Sequence, residues 1–313
     1  MNMIDKFIKK LESYNSFLII THENPDGDAL GSSVALKRTL ELIGKEVDLY
    51  AQTPIPVNLE DLIKESDITS LDDLKTGYDV CLCLDCSSED YLFGGNLKNL
   101  CGDMIVIDHH VTNSRYGDIN MVSEKASATG ELIFMISSAI LGTIPKYIAS
   151  LLYVAISTDT GSFSYSNTTP ATHIIGAKLL KCGVEQGKLS EMVKLKDITS
   201  LFVRKKSLES IYAFKENQIL VMVLDDENIN GETDTEGLID AIRYIKGCKV
   251  AALVKRIDDE SFKVSLRSGG SEVDVSNIAH HYGGGGHKKA AGFTFKGSKN
   301  EILTIIKDID LEV

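Results

Sequence analysis

Three features are scarce or absent in this sequence of 313 residues, and each absence argues against a class of protein. No apolar run is long enough to cross a bilayer, so a membrane-spanning protein is not expected. Basic residues are in the minority, because the sequence has 33 Lys and Arg residues and 45 Asp and Glu residues, which gives a net charge of −12. This balance argues against a protein that coats long nucleic acids by neutralising their phosphates. It leaves room for a small phosphorylated ligand, because bound divalent cations supply local positive charge.

The third scarce feature is the paired cysteine motif. Of the six cysteines, only Cys83 and Cys86 have the C-x-x-C spacing of a zinc or redox pair, and the sequence has no second such pair. Cys81 and Cys83 lie in the apolar run "YDVCLCLD", which is typical of buried cysteines that pack as small apolar side chains. A zinc or redox role for Cys83 and Cys86 is therefore kept only as an alternative.

The remaining composition is that of a globular protein, with 43% hydrophobic and 25% charged residues. A chain of this length exceeds one ordinary hydrophobic core and predicts two domains. The first residues, "MNMIDKFIKKLE", have the pattern of an amphipathic helix and lack the apolar core of a signal peptide. We therefore expect a cytoplasmic protein.

Four segments of the sequence share one plan, in which an apolar run leads directly into acidic or histidine side chains. The run "MIVIDHH" is an example, and two others also have the length of strands. The fourth run, which precedes "STDTGSF", is too long for a typical strand and predicts a buried helix. The polar residues that follow the four runs, called the polar endings below, are His22, Asp26 and Asp28; Asp85; Asp108, His109 and His110; and Asp159.

Helical patterns between these runs predict an α/β fold. Residues 28–43 place Leu30, Val34 and Leu40 on one stripe, and residues 127–141 form a second helical pattern. Strands that alternate with helices predict a parallel sheet with helices on both faces. Because ligands of such sheets bind beyond the carboxyl ends of the strands, we expect the four polar endings to converge there.

The composition changes near residue 185, and this change divides the chain. We expect a first domain over residues 1–185, a helical linker over 186–210 and a smaller α+β domain over 211–313, with the active site in the cleft between the domains. The second domain is predicted to contain, in order, a strand at "QILVMVLD", a helix at "TEGLIDAIRYIKG", a hairpin turning at residues 258–260, a short helix at "VSNIAHHY", the run "GGGGHKKAAG", a strand and a final helix.

The polar endings suggest a metal centre. Four carboxylates packed together repel one another unless they are protonated or neutralised. Two divalent cations would neutralise them and are a known catalytic arrangement for phosphoryl transfer. Histidine and carboxylate ligands without thiolate favour Mn²⁺, with Mg²⁺ or Co²⁺ as alternatives.

Each of these residues also has an ordinary structural explanation. Asp26 and Asp28 fit a turn and a helix N-cap, and Asp85 fits a strand-ending turn. His109 and His110 fit surface positions. All of these separate explanations would have to hold together at successive element ends of one sheet, which is improbable. The metal centre is therefore the favoured interpretation.

The motifs "HENPDGDALGSS", "CLDCSS", "VIDHHVTN" and "STDTGSF" resemble those of the DHH phosphoesterase superfamily. This superfamily includes RecJ-type exonucleases, family II inorganic pyrophosphatases and nanoRNases. The run "GGGGHKKAAGF" resembles the glycine-rich motif of the DHH-associated C-terminal domain. The order and length of the two domains resemble the bacterial oligoribonuclease and pAp-phosphatase subgroup, and the resemblance covers nearly the whole chain.

The resemblance implies a role for each polar ending. Asp85 would bridge two metal ions, His110 would contact the scissile phosphate or assist the leaving group, and Asp108 would orient a histidine. The implied ligands are His22 and Asp26 for the first metal, Asp28, His109 and Asp159 for the second, and Asp85 for both.

The resemblance also implies substrate-binding residues. Gly285, Gly286 and His287 lie in the glycine run, and Arg267 lies near the end of the predicted hairpin. Backbone N–H groups of glycines can approach an anion closely. Arg115 either contacts the substrate or belongs to a surface loop.

The resemblance therefore implies a phosphodiesterase that converts short RNA or DNA oligonucleotides to mononucleotides, with pAp phosphatase activity as an addition. Alternatives are a cyclic-dinucleotide phosphodiesterase, a pyrophosphatase, and a non-catalytic nucleotide sensor on the same scaffold. The sensor would be expected to lack a metal ligand, and none is missing. Cleavage polarity and a homodimer are left open by the sequence.

Overall fold

The structure, a computed structural model, describes residues 3–93, 98–225, 235, 237–270 and 273–311. The chain forms two compact units, Met1–Leu195 and Lys196–Val313. The division between them falls inside the segment 186–210 that the sequence predicts as a helical linker. That segment contributes one helix to each unit, α6 (Gln186–Met192) and α7 (Ile198–Glu209).

The first unit is built on a five-stranded sheet in which every pairing is parallel, in the order β2-β1-β3-β4-β5. The parallel sheet predicted from the sequence is confirmed. Its strands are β1 Ser16–Ile20, β2 Glu46–Tyr50, β3 Tyr78–Leu84, β4 Cys101–Asp108 and β5 Ile119–Val122. The helices that precede α6 are α1 Met3–Glu12, α2 Gly27–Leu42, α3 Thr129–Leu141, α4 Lys146–Asp159 and α5 Pro170–Lys181.

The two faces of this sheet are covered differently. Side chains on one face, such as those of Phe17 and Leu82, join the helices in the main core cluster. Side chains on the other face, such as those of Leu18 and Cys83, pack in a smaller cluster with Leu92 and side chains from other loops. The long helices thus contribute to one face, and loops with short 3₁₀ turns cover the other, where the sequence predicts helices on both. The alternation along each strand buries both faces, as expected of parallel strands.

The helices begin and end where the local sequence favours it. The carboxylate of Asp26 accepts hydrogen bonds from the backbone N–H groups of Asp28 and Ala29 and so caps α2. Gly44, with φ of +78°, follows the end of the same helix. The long apolar run that ends at Asp159 is the helix α4, as its length predicts.

The second unit has a six-stranded mixed sheet in the order β10-β11-β9-β8-β7-β6. The predicted hairpin is confirmed as the antiparallel pair β8–β9. Its strands are β6 Ile211–Phe214, β7 Ile219–Leu224, β8 Val250–Arg256, β9 Ser261–Ser268, β10 Gly285–His287 and β11 Ala290–Lys296. Its other helices are α8 Asp240–Arg243, α9 Val275–His281 and α10 Lys299–Lys307.

One predicted element of the second unit is much shorter than expected. The helix expected from "TEGLIDAIRYIKG" is limited to α8, Asp240–Arg243, with turns on either side. Glu236, within the predicted span, lies outside the described residues. Gly237 and Gly247 both have positive φ, which a right-handed helix does not accommodate.

The helices of the second unit pack on opposite faces of its sheet. Side chains of α9 and α10, including Ile278 and Ile302, pack on one face. Val203 of α7 and Ile242 of α8 pack with side chains of β7 and β8 on the other. Among the described residues of the whole chain, no helix has the length and apolar character that spanning a membrane requires.

Candidate active site

The polar endings predicted to converge do so at one edge of the first sheet. His22 follows β1, Asp85 follows β3, and His109 and His110 follow β4. Asp159 is the last residue of α4, and Asp28 lies in the first turn of α2. A cavity of about 390 Å³ opens here. Its lining residues are His22, Glu23, Asn24, Asp26, Asp85, Cys86, Ser87, Tyr91, His110 and Asp159.

The side chains at this edge form three overlapping groups that could each hold a metal ion. Within each group, one potential ligand atom per residue lies within 4.8 Å of the others. The groups are His22, Asp26 and Asp85; Asp28, His109 and Asp159; and Asp85, His109 and His110. Because the third group shares Asp85 with the first and His109 with the second, the groups adjoin one another.

His22 is held in a state suited to a ligand. Its Nδ1 atom lies 2.7 Å from the carbonyl oxygen of Glu23, and a carbonyl can only accept, so Nδ1 carries the proton. This leaves Nε2, on the other side of the ring, as the nitrogen that could ligate a cation. That nitrogen lies 3.9 Å from Oδ2 of Asp85, too far for a hydrogen bond.

His109 lies among three carboxylates. Its Nε2 atom is 3.4 Å from Asp159, 3.6 Å from Asp85 and 3.8 Å from Asp28, measured to the nearest carboxylate oxygen. Such distances are at or beyond the limit of a direct hydrogen bond. Side chains that surround a common point without bonding to each other are suited to ligate a cation at that point.

The carboxylate of Asp28 is held in place by the start of α3, which lies 101 residues further along the chain. Its carboxylate accepts hydrogen bonds from the backbone N–H groups of Thr129 and Gly130, at 2.7 and 2.9 Å, and from the hydroxyl of Ser32 at 2.9 Å. Thr129 and Gly130 are the first residues of α3, whose own N-cap, Ala128, has no side-chain acceptor. Asp28 therefore satisfies the N-terminus of α3 in place of a local cap.

Asp85 adopts a backbone conformation that few residues tolerate. Its φ is +53°, in the left-handed region where Asp is several times more frequent than most residues. The hydroxyl of Thr129 donates to Oδ1 of Asp85 at 2.9 Å, and the backbone N–H of Asp85 donates to the carbonyl of Ile107. The turn and Thr129 together aim the carboxylate into the cavity.

The carboxylates of this site carry raised pKa values. Burial raises the pKa of Asp28 and of Asp85 well above the usual range, and the charges of neighbouring carboxylates add to the effect. Burial also raises the pKa of Asp159, which His109 partly offsets. Buried, mutually repelling carboxylates of this kind are stabilised by bound cations. The donor set therefore fits divalent metal ions, and these acidic and histidine groups could hold them.

Asp108, which is fully buried, pairs with the partly exposed His110 beside the cavity. Nδ1 of His110 lies 2.7 Å from Oδ1 of Asp108, which is fully buried and also accepts from the backbone N–H of His109. Burial alone would lower the pKa of His110, but the hydrogen bond to Asp108 and the charge of Asp85 raise it to about 9. His110 thus faces the cavity as a proton-bearing group, with Asp108 fixing its ring.

Several residues that build the site are not evident from the sequence. Gly27 and Gly31 of α2 and Gly130 of α3 allow close approach to α4. A Cβ atom at Gly31 would lie 2.8 Å from the carbonyl oxygen of Leu151, and one at Gly130 would lie 2.8 Å from Cβ of Ala155. Ser32 lies inside the motif "HENPDGDALGSS", but Thr129 has no such signal.

The predicted substrate-binding residues lie in different parts of the molecule. Arg115 is exposed in the loop after β4, with φ of +53°, and its Nη2 atom lies 3.9 Å from Oε1 of Glu124. It is not among the residues that line the cavity. The register of the second sheet places His287 opposite Ala290 and Ala290 opposite Arg267. His287 and Arg267 therefore share one face of that sheet.

Gly285 and Gly286 of the predicted motif differ in whether their surroundings leave space for a Cβ atom. Gly285 shares the face of His287, and a Cβ there would make only an ordinary contact with His280. Gly286 has φ of +139°, and a Cβ there would lie 2.5 Å from the carbonyl oxygen of Ala290. Packing within the hairpin thus explains why residue 286 is a glycine. The same packing would tolerate a larger side chain at residue 285.

Cys83 and Cys86 are packing residues of the first unit. Cys83 is fully buried, Cys86 is 1% exposed, and burial raises the pKa of the Cys86 thiol to about 12. Within the described residues, the groups that could hold a metal contain aspartate and histidine and no cysteine. The structure gives no support to a zinc or redox pair at Cys83 and Cys86.

Comparisons with known proteins show the family to which the chain belongs. The bifunctional oligoribonuclease and PAP phosphatase NrnA of Thermus thermophilus is 33% identical over 95% of this chain and 89% of its own length. A crystal structure of an exopolyphosphatase-related protein from Bacteroides fragilis matches with a TM-score of 0.83 and 25% identity, covering 96% of this chain and 93% of that protein.

A more distant structure shares the fold. Exonuclease RecJ bound to manganese matches with a TM-score of 0.51 at 14% identity, over 97% of this chain and 92% of its own. The profile of the DHH family N-terminal domain matches residues 16–156, and that of the DHHA1 domain matches residues 216–311. The chain therefore belongs to the DHH family, with a DHHA1 domain as its second part.

Proposed function

We propose that this protein is a metal-dependent phosphodiesterase that hydrolyses very short oligonucleotides to mononucleotides and also removes a phosphate from pAp. The observation that carries the proposal is the set of adjoining ligand groups at one sheet edge, joined through Asp85 and His109. The relative from Thermus thermophilus, named as an oligoribonuclease and PAP phosphatase, supports the choice of substrate.

The proposed metal ligands follow the groups described above. His22, Asp26 and Asp85 would hold one divalent cation, and Asp28, His109 and Asp159 would hold the other. The family resemblance adds Asp85 as a ligand that both cations would share. Mn²⁺ suits this mixture of imidazole and carboxylate ligands, and the related RecJ structure contains manganese. Two such cations, when bound, lower the pKa of a water molecule and neutralise charge on the phosphoryl oxygens.

The protein's own residues supply position and protons. Thr129 and the first turn of α3 hold Asp85 and Asp28 in place before any ligand arrives. His110, whose ring is fixed by Asp108, presents a proton to the cavity. We assign His110 to the scissile phosphate or the leaving oxygen, where a protonated imidazole stabilises developing negative charge.

In the second unit, Arg267, His287 and Gly285 are proposed to bind the substrate. Gly285 and His287 lie on β10 and Arg267 lies on β9, with β11 between these two strands. All three residues share one face of the sheet, so a single anionic ligand on that face could contact them. Arg115 and Gly286 are weaker candidates, because Arg115 does not line the cavity and Gly286 is required by the hairpin itself.

A product time course tests the function. The protein is incubated with Mn²⁺ and, separately, pApA, a labelled RNA five-mer, a long RNA, pAp, cyclic di-AMP and pyrophosphate. Mononucleotides from the short linear substrates and adenosine monophosphate from pAp are the expected products. Asp85→Ala, which removes the side chain shared between ligand groups, should abolish all turnover.

Each alternative gives a different result. Cleavage of cyclic di-AMP alone would identify a cyclic-dinucleotide phosphodiesterase, and cleavage of pyrophosphate alone would identify a pyrophosphatase. Nucleotide binding without turnover at any Mn²⁺ concentration would identify a sensor. Each of these three results would overturn the proposal.

A further inference from the structure

One aromatic residue that lines the active-site cavity takes no part in the proposed chemistry. Tyr91 is 61% exposed and lies among the residues that surround the cavity. Cavities that bind small organic ligands have volumes of about 300–1,000 Å³ and commonly offer aromatic side chains to the ligand. The cavity here has a volume of about 390 Å³, which leaves space for more than a bare phosphate.

The rest of the cavity wall suits metal ions and phosphate better than it suits a nucleobase. Apart from Cys86, the other lining residues are polar or charged, and five of them are proposed metal ligands or the proton-bearing His110. A nucleotide that binds these residues through its phosphate also carries a flat base, which needs an apolar surface. Among the lining residues that the structure describes, Tyr91 alone has a phenol ring.

The backbone of Tyr91 is held by the segment that carries a proposed metal ligand. The backbone N–H of Glu23 donates to the carbonyl oxygen of Tyr91 at 3.0 Å, beside an antiparallel bridge between His22 and Leu92. The N–H of Tyr91 donates to the carbonyl oxygen of Ser88 at 3.1 Å. Leu92 is 2% exposed and packs in the smaller core cluster of the first unit. Tyr91 is therefore an exposed ring on a backbone that is anchored on both sides.

The ring of Tyr91 is available to a ligand. Within the parts of the chain that the structure describes, its side chain makes no hydrogen bond, ion pair or ring contact. The nearby Phe93 differs, because its ring packs against that of Tyr50 with 5.0 Å between the centroids. Proteins that bind single-stranded nucleic acids stack bases on aromatic side chains in this kind of position. Such a contact tolerates different sequences, because every base has a π face.

We propose that Tyr91 is a stacking platform for one base of the substrate, namely the base of a nucleotide whose phosphate lies at the metal ligands. The platform makes the first unit selective for nucleotides over base-free phosphate compounds without selecting one base. The proposal rests on the proposed function for its choice of ligand. It adds a specificity residue, because Tyr91 lies outside the motifs that carry the family resemblance.

A ligand series tests the stacking platform separately from catalysis. The ligand is the dinucleotide pApA with a methylene group in place of the scissile bridging oxygen, so that the link is not hydrolysed. Matched analogues lack the base of the first nucleotide, of the second, or of both. Isothermal titration calorimetry with saturating Mn²⁺ measures the affinity of the full-length wild type and of Tyr91→Leu, Tyr91→Phe and Tyr147→Leu.

Tyr147→Leu is the matched control. Tyr147 is 46% exposed and lies in the first turn of α4. Asp159 is the last residue of the same helix, roughly 18 Å away at about 1.5 Å per residue. The control therefore removes an exposed phenol ring from the same unit at a distance from the cavity.

Tyr91→Leu should bind the pApA analogue at least about fivefold more weakly, which is the lower end of what one base–aromatic stack contributes. It should have this effect on ligands that keep one particular base and none on ligands that lack that base. Tyr91→Phe keeps the ring and should bind as the wild type does, as should Tyr147→Leu. An unchanged increase in Tm with Mn²⁺ shows that the variants fold.

A purely structural role of Tyr91 would give a different pattern. Equal weakening of ligands with and without bases by Tyr91→Leu, or no effect on any of them, would overturn the stacking platform even if oligonucleotides are hydrolysed. Base-dependent binding that requires Tyr91, in a protein that hydrolyses none of the substrates, would support the platform and refute the proposed function. Failure of the wild type to bind the pApA analogue would refute both.

A second measurement applies if Tyr91→Leu does not fold. Wild-type protein labelled with fluorotyrosine gives a fluorine NMR signal for Tyr91, which is identified by its loss in Tyr91→Phe. This signal should shift with the pApA analogue and stay in place with the analogue that lacks both bases. A signal that responds equally to both ligands, or to neither, would overturn the stacking platform.

Discussion

At the scale of single residues, Thr129 shows how an uncharged side chain can hold the acidic groups of a candidate metal site in place. Its hydroxyl donates to Asp85 and its backbone N–H donates to Asp28, so one residue holds two proposed ligands. Thr129 is fully buried, so water cannot replace either hydrogen bond. Hydrogen bonds to metal-binding carboxylates commonly affect metal affinity strongly.

We predict that Thr129→Val weakens Mn²⁺ binding about tenfold, because it removes the hydrogen bond to Asp85 and keeps the shape of the side chain. Thr129→Ser keeps the hydroxyl and is the matched control, with affinity close to that of the wild type. Isothermal titration calorimetry measures both. Equal affinity in the valine variant and the wild type would show that Asp85 does not need this donor.

The pair formed by Asp108 and His110 makes a prediction about proton binding. In the metal-free protein, the pKa of His110 is raised to about 9, chiefly because Asp108 accepts its hydrogen bond and burial does not cancel this effect. We expect NMR titration of the ring protons to show this pKa, and Asp108→Asn to return it toward the usual value near 6.5. A midpoint that is the same in both proteins would contradict the assignment.

At the scale of elements, the site depends on how closely three helices approach one another. Gly31 of α2 lies against α4, and Gly130 of α3 lies against the same helix. This packing brings Asp28 on α2 close to the first turn of α3 and to Asp159 at the end of α4. The distances among the ligands are therefore set by helix packing as well as by the sheet.

We predict that Gly31→Ala lowers the free energy of unfolding by about 1–3 kcal/mol, because its Cβ would lie 2.8 Å from a backbone carbonyl that cannot easily move. It should also weaken Mn²⁺ binding, since α2 carries Asp28. Gly187→Ala, in the exposed part of α6 with open space around it, is the control and should be neutral or stabilising. Urea denaturation measures both. A Gly31→Ala protein as stable as the wild type would show that α2 and α4 can separate freely.

At the scale of the whole molecule, the charge of the site makes folding stability depend on pH and metal. The pKa values of Asp28, Asp85 and Asp159 are raised in the folded, metal-free protein. Groups with raised pKa values stabilise the fold below their unfolded values, and this stabilisation is lost as pH rises through the folded values. His110 follows the same sign, with its contribution lost between about pH 6.5 and about 9.

We therefore predict that chelator-treated protein has a lower Tm at pH 8.5 than at pH 6.5, and that Mn²⁺ raises Tm more at the higher pH. Asp85→Asn removes one of the buried charges and keeps the acceptor for Thr129. Without metal it should have a higher Tm than the wild type at pH 8.5, and it should lose most of the increase caused by Mn²⁺. Differential scanning calorimetry checks each value. A wild-type Tm that rises from pH 6.5 to 8.5 without metal would contradict the argument.

The sequence by itself determined which residues meet at the sheet edge. Apolar runs that end in Asp or His, alternating with helices, fix a parallel sheet, and the carboxyl ends of parallel strands share one edge. His22, Asp85 and His109 could therefore be placed together before any coordinates were known. The helix α4 followed from the length of its apolar run. In the second domain, the strand at "QILVMVLD" and the hairpin that turns at residues 258–260 also followed from local patterns, whereas β6 and β10 were not predicted.

Only the tertiary structure decided the rest, because it depends on contacts between distant segments. Thr129 and Asp28 are 101 residues apart, and no local periodicity encodes their hydrogen bond. The helix expected after residue 235 is limited to the four residues of α8, which lie between Gly237 and Gly247, both with positive φ. The register of β9, β10 and β11 placed Arg267 and His287 on one face of the sheet, and the β10–β11 hairpin confined Gly286. Strand register and helix approach are set by packing over the whole domain, so they appear only once the chain is folded.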